Sequence, residues 1–225
     1  PALEITWSRP EYTDVFSVAG RQDSGEEQLS TGLMYLDSSD LELLHDMWLV
    51  SDVEAERANA EQLVGVVYPS VGVPAGATIK SASCLFVIDE VNPPASSESL
   101  VISIYGERTA NALAPSASVR DLSRRPATAA KVGWAPAASV VVGDALRSAD
   151  ISSIVQEIVL LPGWQVNNSI SILFAHNSTS RTGVRWVESF KATSEGVATP
   201  ALEITWSRPE YTDVFSVAGR QDSGE

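Results

Sequence analysis

The chain has few of the residues on which most recognisable protein chemistry depends. It contains one cysteine, Cys84, and two histidines, His45 and His176, in 225 residues. A single cysteine allows no disulfide within the chain, and its place in the apolar run SASCLFVI is typical of a buried free thiol. The spacing of the two histidines does not indicate a metal pair, and the sequence contains no HExxH, GxSxG or GxGxxG motif. We therefore expect that the protein is not an enzyme.

Basic residues and long apolar runs are also scarce. The chain has 15 Lys+Arg against 29 Asp+Glu, which gives a formal net charge of −14. Such a surface repels phosphate backbones and anionic lipids, so we expect no nucleic-acid partner, and it attracts divalent cations. No run approaches the ~20 consecutive apolar residues that a membrane-spanning helix needs, so we expect no membrane insertion.

What the sequence does contain is a long identical repeat. Residues 1–26, PALEITWSRPEYTDVFSVAGRQDSGE, occur again letter for letter at 200–225, an offset of 199 residues. Chance does not produce such a match, and the simplest interpretation is one period, plus an overlap, of a tandem array. A duplicated tag, a cloning scar and a circular permutation are the alternatives.

The repeat also defines the expected domain boundaries. Residues 1–7 would be the closing strand of a preceding unit and 8–13 a linker. Residues 14–206 would form one complete sandwich. Residues 207–213 would be the next linker, and 214–225 would open the following unit.

Alternation of apolar and polar residues predicts many short strands. In a typical run, Cys84, Phe86 and Ile88 share one face of a strand. One segment has helical spacing instead, because Ile151, Ile154 and the apolar residues that follow recur at i, i+3, i+4, i+7 and i+8. This spacing predicts one short helix over about 149–160. The pattern as a whole favours an all-β, jelly-roll-like sandwich.

Three stretches have little apolar periodicity. The polar segment 20–28, GRQDSGEEQ, is predicted to be a loop, and residues 107–131, rich in Ala, Ser and Arg, a long surface loop. Residues 140–142 are predicted to form a short strand.

The order of these segments resembles a known family. The run LVGVVYPSVGVPAGATIKSASCLFVIDE is followed by a long loop and then by DISSIVQEIV, SISILFAHNS, VRWVES and PALEITW. This layout, over about Leu63 to Trp206, is similar to the secreted modules called DNRLRE domains, and Arg185 to Ser189 is loosely similar to their Arg-Glu-Ser signature. The resemblance implies a β-sandwich related to carbohydrate-binding jelly rolls, found in large surface proteins of bacteria and archaea.

Calcium is the cofactor that the sequence suggests best. Asp37, Asp40 and Glu42 place three carboxylates within six residues of the segment DSSDLE. Ca²⁺ takes six to eight hard oxygen ligands, which suits this density of acids. The alternative is purely structural, a turn formed by Asp37 and the serines that follow it, with Asp40 capping it and Glu42 exposed.

Tryptophan offers a second kind of candidate site. Jelly-roll binding modules stack sugars on flat aromatic rings, although core packing is the commoner fate of tryptophan in a sandwich. Trp134 stands beside Gly133 and near Pro136, so we expect it to be the most exposed tryptophan and the candidate for stacking on a glycan.

Two functions are consistent with these features. The first is a structural subunit of an extracellular fibre, sheath or surface filament, in which identical units join head to tail. The second is an array of carbohydrate-binding or adhesin modules with a polysaccharide partner. In the first case the junction between units would be formed by Ser207, Arg208, Pro209, Glu210 and Tyr211, either as a covalent link or as strand donation between separate subunits.

Overall fold

The structure is a computed structural model that describes residues 10–46, 60–92, 97, 99–177, 183–190 and 199–209. Within these residues the chain forms two antiparallel β-sheets, one α-helix and a short 3-10 helix at Arg21–Asp23. The strands are β1 (Glu11–Ser17), β2 (Ser24–Gln28), β3 (Met34–Tyr35), β4 (Asp40–Leu43), β5 (Gln62–Val71), β6 (Thr78–Glu90), β7 (Ile102–Glu107), β8 (Ala127–Trp134), β9 (Ala145–Arg147), β10 (Asn168–His176), β11 (Arg185–Glu188) and β12 (Ala201–Ser207). The α-helix, α1, spans Ser152–Val159.

The two sheets form a jelly-roll sandwich, as the sequence predicts. The first sheet has the order β1-β12-β6-β11-β4, with β9 also paired to β6, and the second has the order β3-β2-β5-β10-β7-β8. The pairs β4–β11, β5–β10, β6–β9 and β7–β8 are nested within one another, and successive pairs alternate between the sheets. This nesting is the arrangement of a jelly roll. Strands β1 and β12 widen the first sheet, and β2 and β3 widen the second.

Apolar side chains from both sheets and from α1 fill the core. Cys84, Phe86 and Ile88 are buried on one face of β6, as their alternation predicts. Burial raises the pKa of the Cys84 thiol to about 12, so this thiol stays protonated. The predicted helix is present, and Ile154 and Ile158 bury its apolar face against β6 and β8.

The ends of the unit meet at the edge of the first sheet. Strand β1 pairs with β12 in a register that sets Glu11 opposite Ser207 and Ser17 opposite Ala201. The chain therefore enters and leaves the sandwich at neighbouring positions. Because β1 begins at Glu11, the last three residues of the expected linker 8–13 are part of a strand. The expected closing strand 1–7 and opening strand 214–225 lie outside the described residues.

Three local predictions are wrong. Residues 24–28 form the buried strand β2 rather than a loop, because the side chains of Glu26, Glu27 and Gln28 accept hydrogen bonds inside the fold. Part of the expected surface loop 107–131 belongs to β8, whose alanine-rich sequence hides its alternation. The expected strand 140–142 is absent, and Val141 and Val142 are exposed.

The absence of a membrane-spanning helix agrees with the sequence as far as the described residues go. None of the helices in that part of the chain is long and apolar enough to cross a bilayer.

Candidate functional site

An acidic pocket of about 240 Å³ opens where β2, β4 and the start of β5 meet. Four carboxylates line it, together with one tyrosine, two serines and one glutamine. The lining residues are Glu26, Tyr35, Ser38, Ser39, Asp40, Glu42, Asp46 and Gln62. The pocket therefore gathers negative charge from segments that are separate in the sequence.

Glu26 is held in the wall of the pocket by two hydrogen bonds. Its side chain is 4 % exposed. The backbone N–H of Glu42 donates to Oε1 at 2.7 Å, and the Ser38 hydroxyl donates to Oε2 at 2.6 Å. Ser189 in turn fixes the turn that carries Ser38, since its hydroxyl lies 2.8 Å from the carbonyl oxygen of Ser38. The position of the Glu26 carboxyl is thus set by the fold.

Glu42 lies beside it and is also engaged at both oxygens. The Trp186 indole N–H donates to Oε1 at 2.8 Å, and the Gln62 amide donates to Oε2 at 3.3 Å. Trp186 comes from β11, which pairs with β4 directly at Glu42. The two buried carboxyl groups are therefore linked, through the Glu42 backbone, into one polar network across the four strands β2, β4, β5 and β11.

Burial makes both carboxyl groups hard to ionise. Loss of solvation raises the pKa of Glu26 to about 7 and that of Glu42 to about 8. The hydrogen bonds from Ser38 and Trp186 oppose this rise, and the nearby charges of Asp40 and Asp46 add to it. Without a cation, Glu42 is mostly protonated and Glu26 is about half protonated at neutral pH.

The side chains present fit a hard divalent cation. The carbonyl oxygen Oε1 of Gln62, which is 2 % exposed, is buried without a hydrogen-bond partner, while its amide nitrogen bonds to Glu42. An amide oxygen and carboxylates are the ligands that Ca²⁺ prefers, and carboxylate oxygens can accept a cation beside an existing hydrogen bond. Ca²⁺ would hold Glu26 and Glu42 in their ionised forms, because opposite charge favours ionisation.

The pocket contains two of the three residues that the sequence suggests for calcium. Asp40 and Glu42 line it, but Asp37 is exposed and is not among the described lining residues. Glu26 and Gln62, which the sequence analysis leaves unassigned, take its place. No apolar periodicity marks Glu26, because its burial depends on partners from a different strand.

The proposed glycan-stacking tryptophan lies in the core. Trp134 is only 5 % exposed, and its ring lies 6.4 Å from that of Phe86 and 6.5 Å from that of Phe174, centroid to centroid. The expectation of an exposed ring is therefore wrong. Trp134 ends β8 and faces inward between the sheets, so neither ring face is available to a sugar.

The described part of the expected junction lies at the corner where the chain leaves the sandwich. Ser207 is the last residue of β12, and Arg208 lies over the ring of Tyr12 at 5.8 Å. The Pro209 ring lies against Gly76, whose φ of +72° suits glycine in the turn before β6. Glu210 and Tyr211 are outside the described residues.

Tyr12, the counterpart of Tyr211 in the first copy of the repeated sequence, packs within the sandwich. Its ring stacks on Trp206 with centroids 4.7 Å apart. The Trp206 indole N–H donates to Asp14 at 2.8 Å, and the hydroxyls of Thr13 and Thr205 lie 2.9 Å apart. Cross-strand pairs of this kind fix the register of β1 on β12.

The chain matches no protein-family model and no curated protein sequence. Its function is therefore inferred from the repeat and from the geometry of its own residues.

Proposed function

We propose that the protein is a structural subunit of an extracellular or cell-surface filament, in which identical sandwiches follow one another along a covalent chain. The observation that carries this proposal is the pairing of β1 with β12. Residues 210–216 repeat the sequence of β1, and they follow β12 after only Arg208 and Pro209. Their proposed role is the first strand of the next unit.

The sequence of the connection supports this arrangement. If residues 210–216 folded back on β12, Arg208 and Pro209 would form a two-residue hairpin turn. Such turns are of type I′ or II′, and both require a positive φ at the first central residue. Arginine resists that conformation, and a residue before proline prefers an extended one. The Arg-Pro pair therefore favours a chain that continues straight into a neighbouring unit.

The same geometry limits the spacing between units. Glu11 and Ser207 are paired, so their Cα atoms are about 5 Å apart. The connection from Ser207 to the next unit spans at most ~11 Å when fully extended. The Cα atoms of the first residue of β1 in consecutive units are then no more than roughly 16 Å apart, and the axial rise per unit cannot exceed this distance, although a unit of this size is roughly 40 Å across. Successive units must therefore be rotated relative to one another about the filament axis, so that they do not overlap.

Imaging tests this proposal. Electron microscopy of the native material, or of a recombinant chain of several periods, should show unbranched filaments with an axial rise of at most ~16 Å per unit. A rise near 40 Å, as in beads on a string, would contradict the pairing of β1 with β12 of its own unit. Boiling in denaturant separates the two ways of joining. A covalent array keeps its high mass, whereas strand donation between subunits yields a single band at the mass of one period.

The resemblance to secreted DNRLRE domains supports the extracellular location, and the acidic pocket supports calcium as a stabilising ion of each unit. Binding of a polysaccharide is the second candidate function. Trp134, the residue suggested for stacking on a sugar, is buried and cannot serve this function.

A further inference from the structure

The two histidines of the chain lie in contact, although 131 positions separate them in the sequence. The rings of His45 and His176 meet edge to face, with centroids 5.5 Å apart. Glu61 completes the group, and one potential ligand atom from each of the three residues lies within 4.8 Å of the other two. This His45–Glu61–His176 cluster contains both imidazoles of the protein.

The backbone brings these residues together from three separate elements. His45 follows β4 of the first sheet, and it is bridged directly to Glu61, which precedes β5 of the second sheet. His176 is the last residue of β10, the neighbour of β5. Because the three residues come from separate elements, no short sequence motif could reveal the cluster, and the spacing of the two histidines gives no indication of it.

The two imidazoles are placed at the cluster in different ways. Nδ1 of His45 lies 3.1 Å from the carbonyl oxygen of Gly183, which can only accept, so Nδ1 carries a proton and donates to it. A carbonyl partner on the far nitrogen is the usual way in which proteins orient a metal-bound histidine. In His176, Nε2 is buried without a hydrogen-bond partner. A buried polar atom without a partner is destabilising, and a metal ion would satisfy it.

We propose that His45, Glu61 and His176 bind a first-row divalent metal ion, with Zn²⁺ as the ion that fits best. Two imidazoles and a carboxylate form a common zinc donor set, whereas Ca²⁺ prefers oxygen ligands alone. The ligand atoms around a tetrahedral Zn²⁺ are roughly 3.4 Å apart, given bond lengths of ~2.0–2.1 Å. Side-chain shifts of about 1 Å would therefore close the observed cluster around the ion. The fourth position is left for water.

The ion would tie the two sheets together at this end of the sandwich. His45 extends from the first sheet, and Glu61 and His176 belong to the second. In a chain whose only cysteine is buried inside the core, such a bond would do what a disulfide does in other small extracellular domains. This site is separate from the acidic pocket, because Glu61 and Gln62 are consecutive in an extended segment and project to opposite sides.

The test uses the full chain, stripped of metal with a chelator and titrated with zinc chloride. Because the protein has only two histidines, its NMR spectrum contains two imidazole Cε1–H signals, and both should shift together and saturate at one equivalent of Zn²⁺. Thermal unfolding should move to higher temperature over the same titration. Calcium chloride should shift neither imidazole signal.

Variants test the assignment of the ligands. His176→Gln and Glu61→Gln should each weaken Zn²⁺ binding more than tenfold, with an unchanged circular dichroism spectrum in chelator. Glu90→Gln, an exposed glutamate on β6, is the matched control, and Glu42→Gln tests the acidic pocket; both should bind as the wild type does. Imidazole signals that do not move at tenfold excess of Zn²⁺ would overturn the proposal without any variant. Loss of binding in Glu42→Gln but not in Glu61→Gln would overturn it as well.

Discussion

Replacing Glu26 by glutamine should stabilise the protein, and more so at alkaline pH. Glutamine has the shape of a protonated glutamate and keeps both hydrogen bonds of this position. Its carbonyl oxygen can accept from the N–H of Glu42, and its amide can donate to the Ser38 hydroxyl. The substitution therefore removes only the group that burial makes hard to ionise.

The sign and size of the effect follow from the pKa of Glu26. Its value is 4.5 before folding and about 7 in the folded protein. Below pH 4.5 both states are protonated, and the carboxyl costs nothing. Between pH 4.5 and 7 only the unfolded state ionises, so the free energy of unfolding falls as pH rises. Above pH 7 the free energy of unfolding is lower than at acid pH by the full amount, roughly 3 kcal/mol. Glu26→Gln avoids this loss.

Thermal unfolding at two pH values measures the difference. For a domain of this size, roughly 3 kcal/mol corresponds to about 6–12 °C in Tm. In EGTA, the Tm of Glu26→Gln should exceed that of the wild type by this amount at pH 8.5 and by little at pH 4.5. Carboxylates elsewhere whose pKa is lowered, such as Asp150, change the stability of both proteins equally with pH, so their effect cancels in the difference in Tm. Glu90→Gln is the control for removal of one negative charge.

Two outcomes would refute the reasoning. If Glu26→Gln were less stable than the wild type at pH 8.5, the ionised carboxylate would be favoured by partners that outweigh its desolvation. If the difference in Tm were the same at both pH values, the carboxyl of Glu26 would not change its protonation between the folded and unfolded states.

Three further results are expected. At pH 7.5, Ca²⁺ should raise the Tm of the wild type, and EGTA should reverse the rise. The gain in the free energy of unfolding is up to about 2.7 kcal/mol at a hundredfold excess over Kd; Glu42→Gln should lose this response and Asp37→Asn should keep it. A wild-type melting curve that EGTA does not move would contradict calcium binding in the pocket. Trp134→Ala should cost about 3–5 kcal/mol in urea unfolding, and a loss below 1 kcal/mol would contradict its place in the core. Asp14→Ala leaves the Trp206 indole without its partner and should cost about 1–2 kcal/mol, measured against Asp37→Ala as an exposed control.

The apolar part of the fold could be predicted from the sequence because burial leaves a period. The i, i+3, i+4 spacing in 149–160 predicts a helix whose inward side chains are indeed buried, and the alternation around Phe86 predicts the inner face of β6. Each of these positions is specified by its own side chain. A transfer free energy of 1.5–3 kcal/mol for a large apolar side chain is enough to decide which face turns inward.

The polar part could not be predicted in this way. All five residues of β2 are buried, although its sequence is SGEEQ. The Glu26 carboxyl group can be buried because Ser38 and the Glu42 backbone donate hydrogen bonds to it. The Glu27 carboxylate receives one hydrogen bond, from the backbone N–H of Ser123. These donors come from distant segments, so the cost of burial is offset by contacts that no local window of sequence contains. The pairing of the two histidines was hidden for the same reason.

In the proposed filament, the repeated sequence both joins two units and supplies strands to them, β12 to one unit and β1 to the next. The nested pairs of the jelly roll run from β4 to β11, and the described part of the repeated sequence lies outside them, in β12, β1, the 3-10 helix and the start of β2. Strand β12 is an inner strand, with β6 on one side and β1 on the other, so its loss would expose the long edge of β6. An open edge of that length invites pairing with other chains. Each sandwich must therefore keep its own β12 in place, and the two residues after β12 then fix where the next sandwich begins.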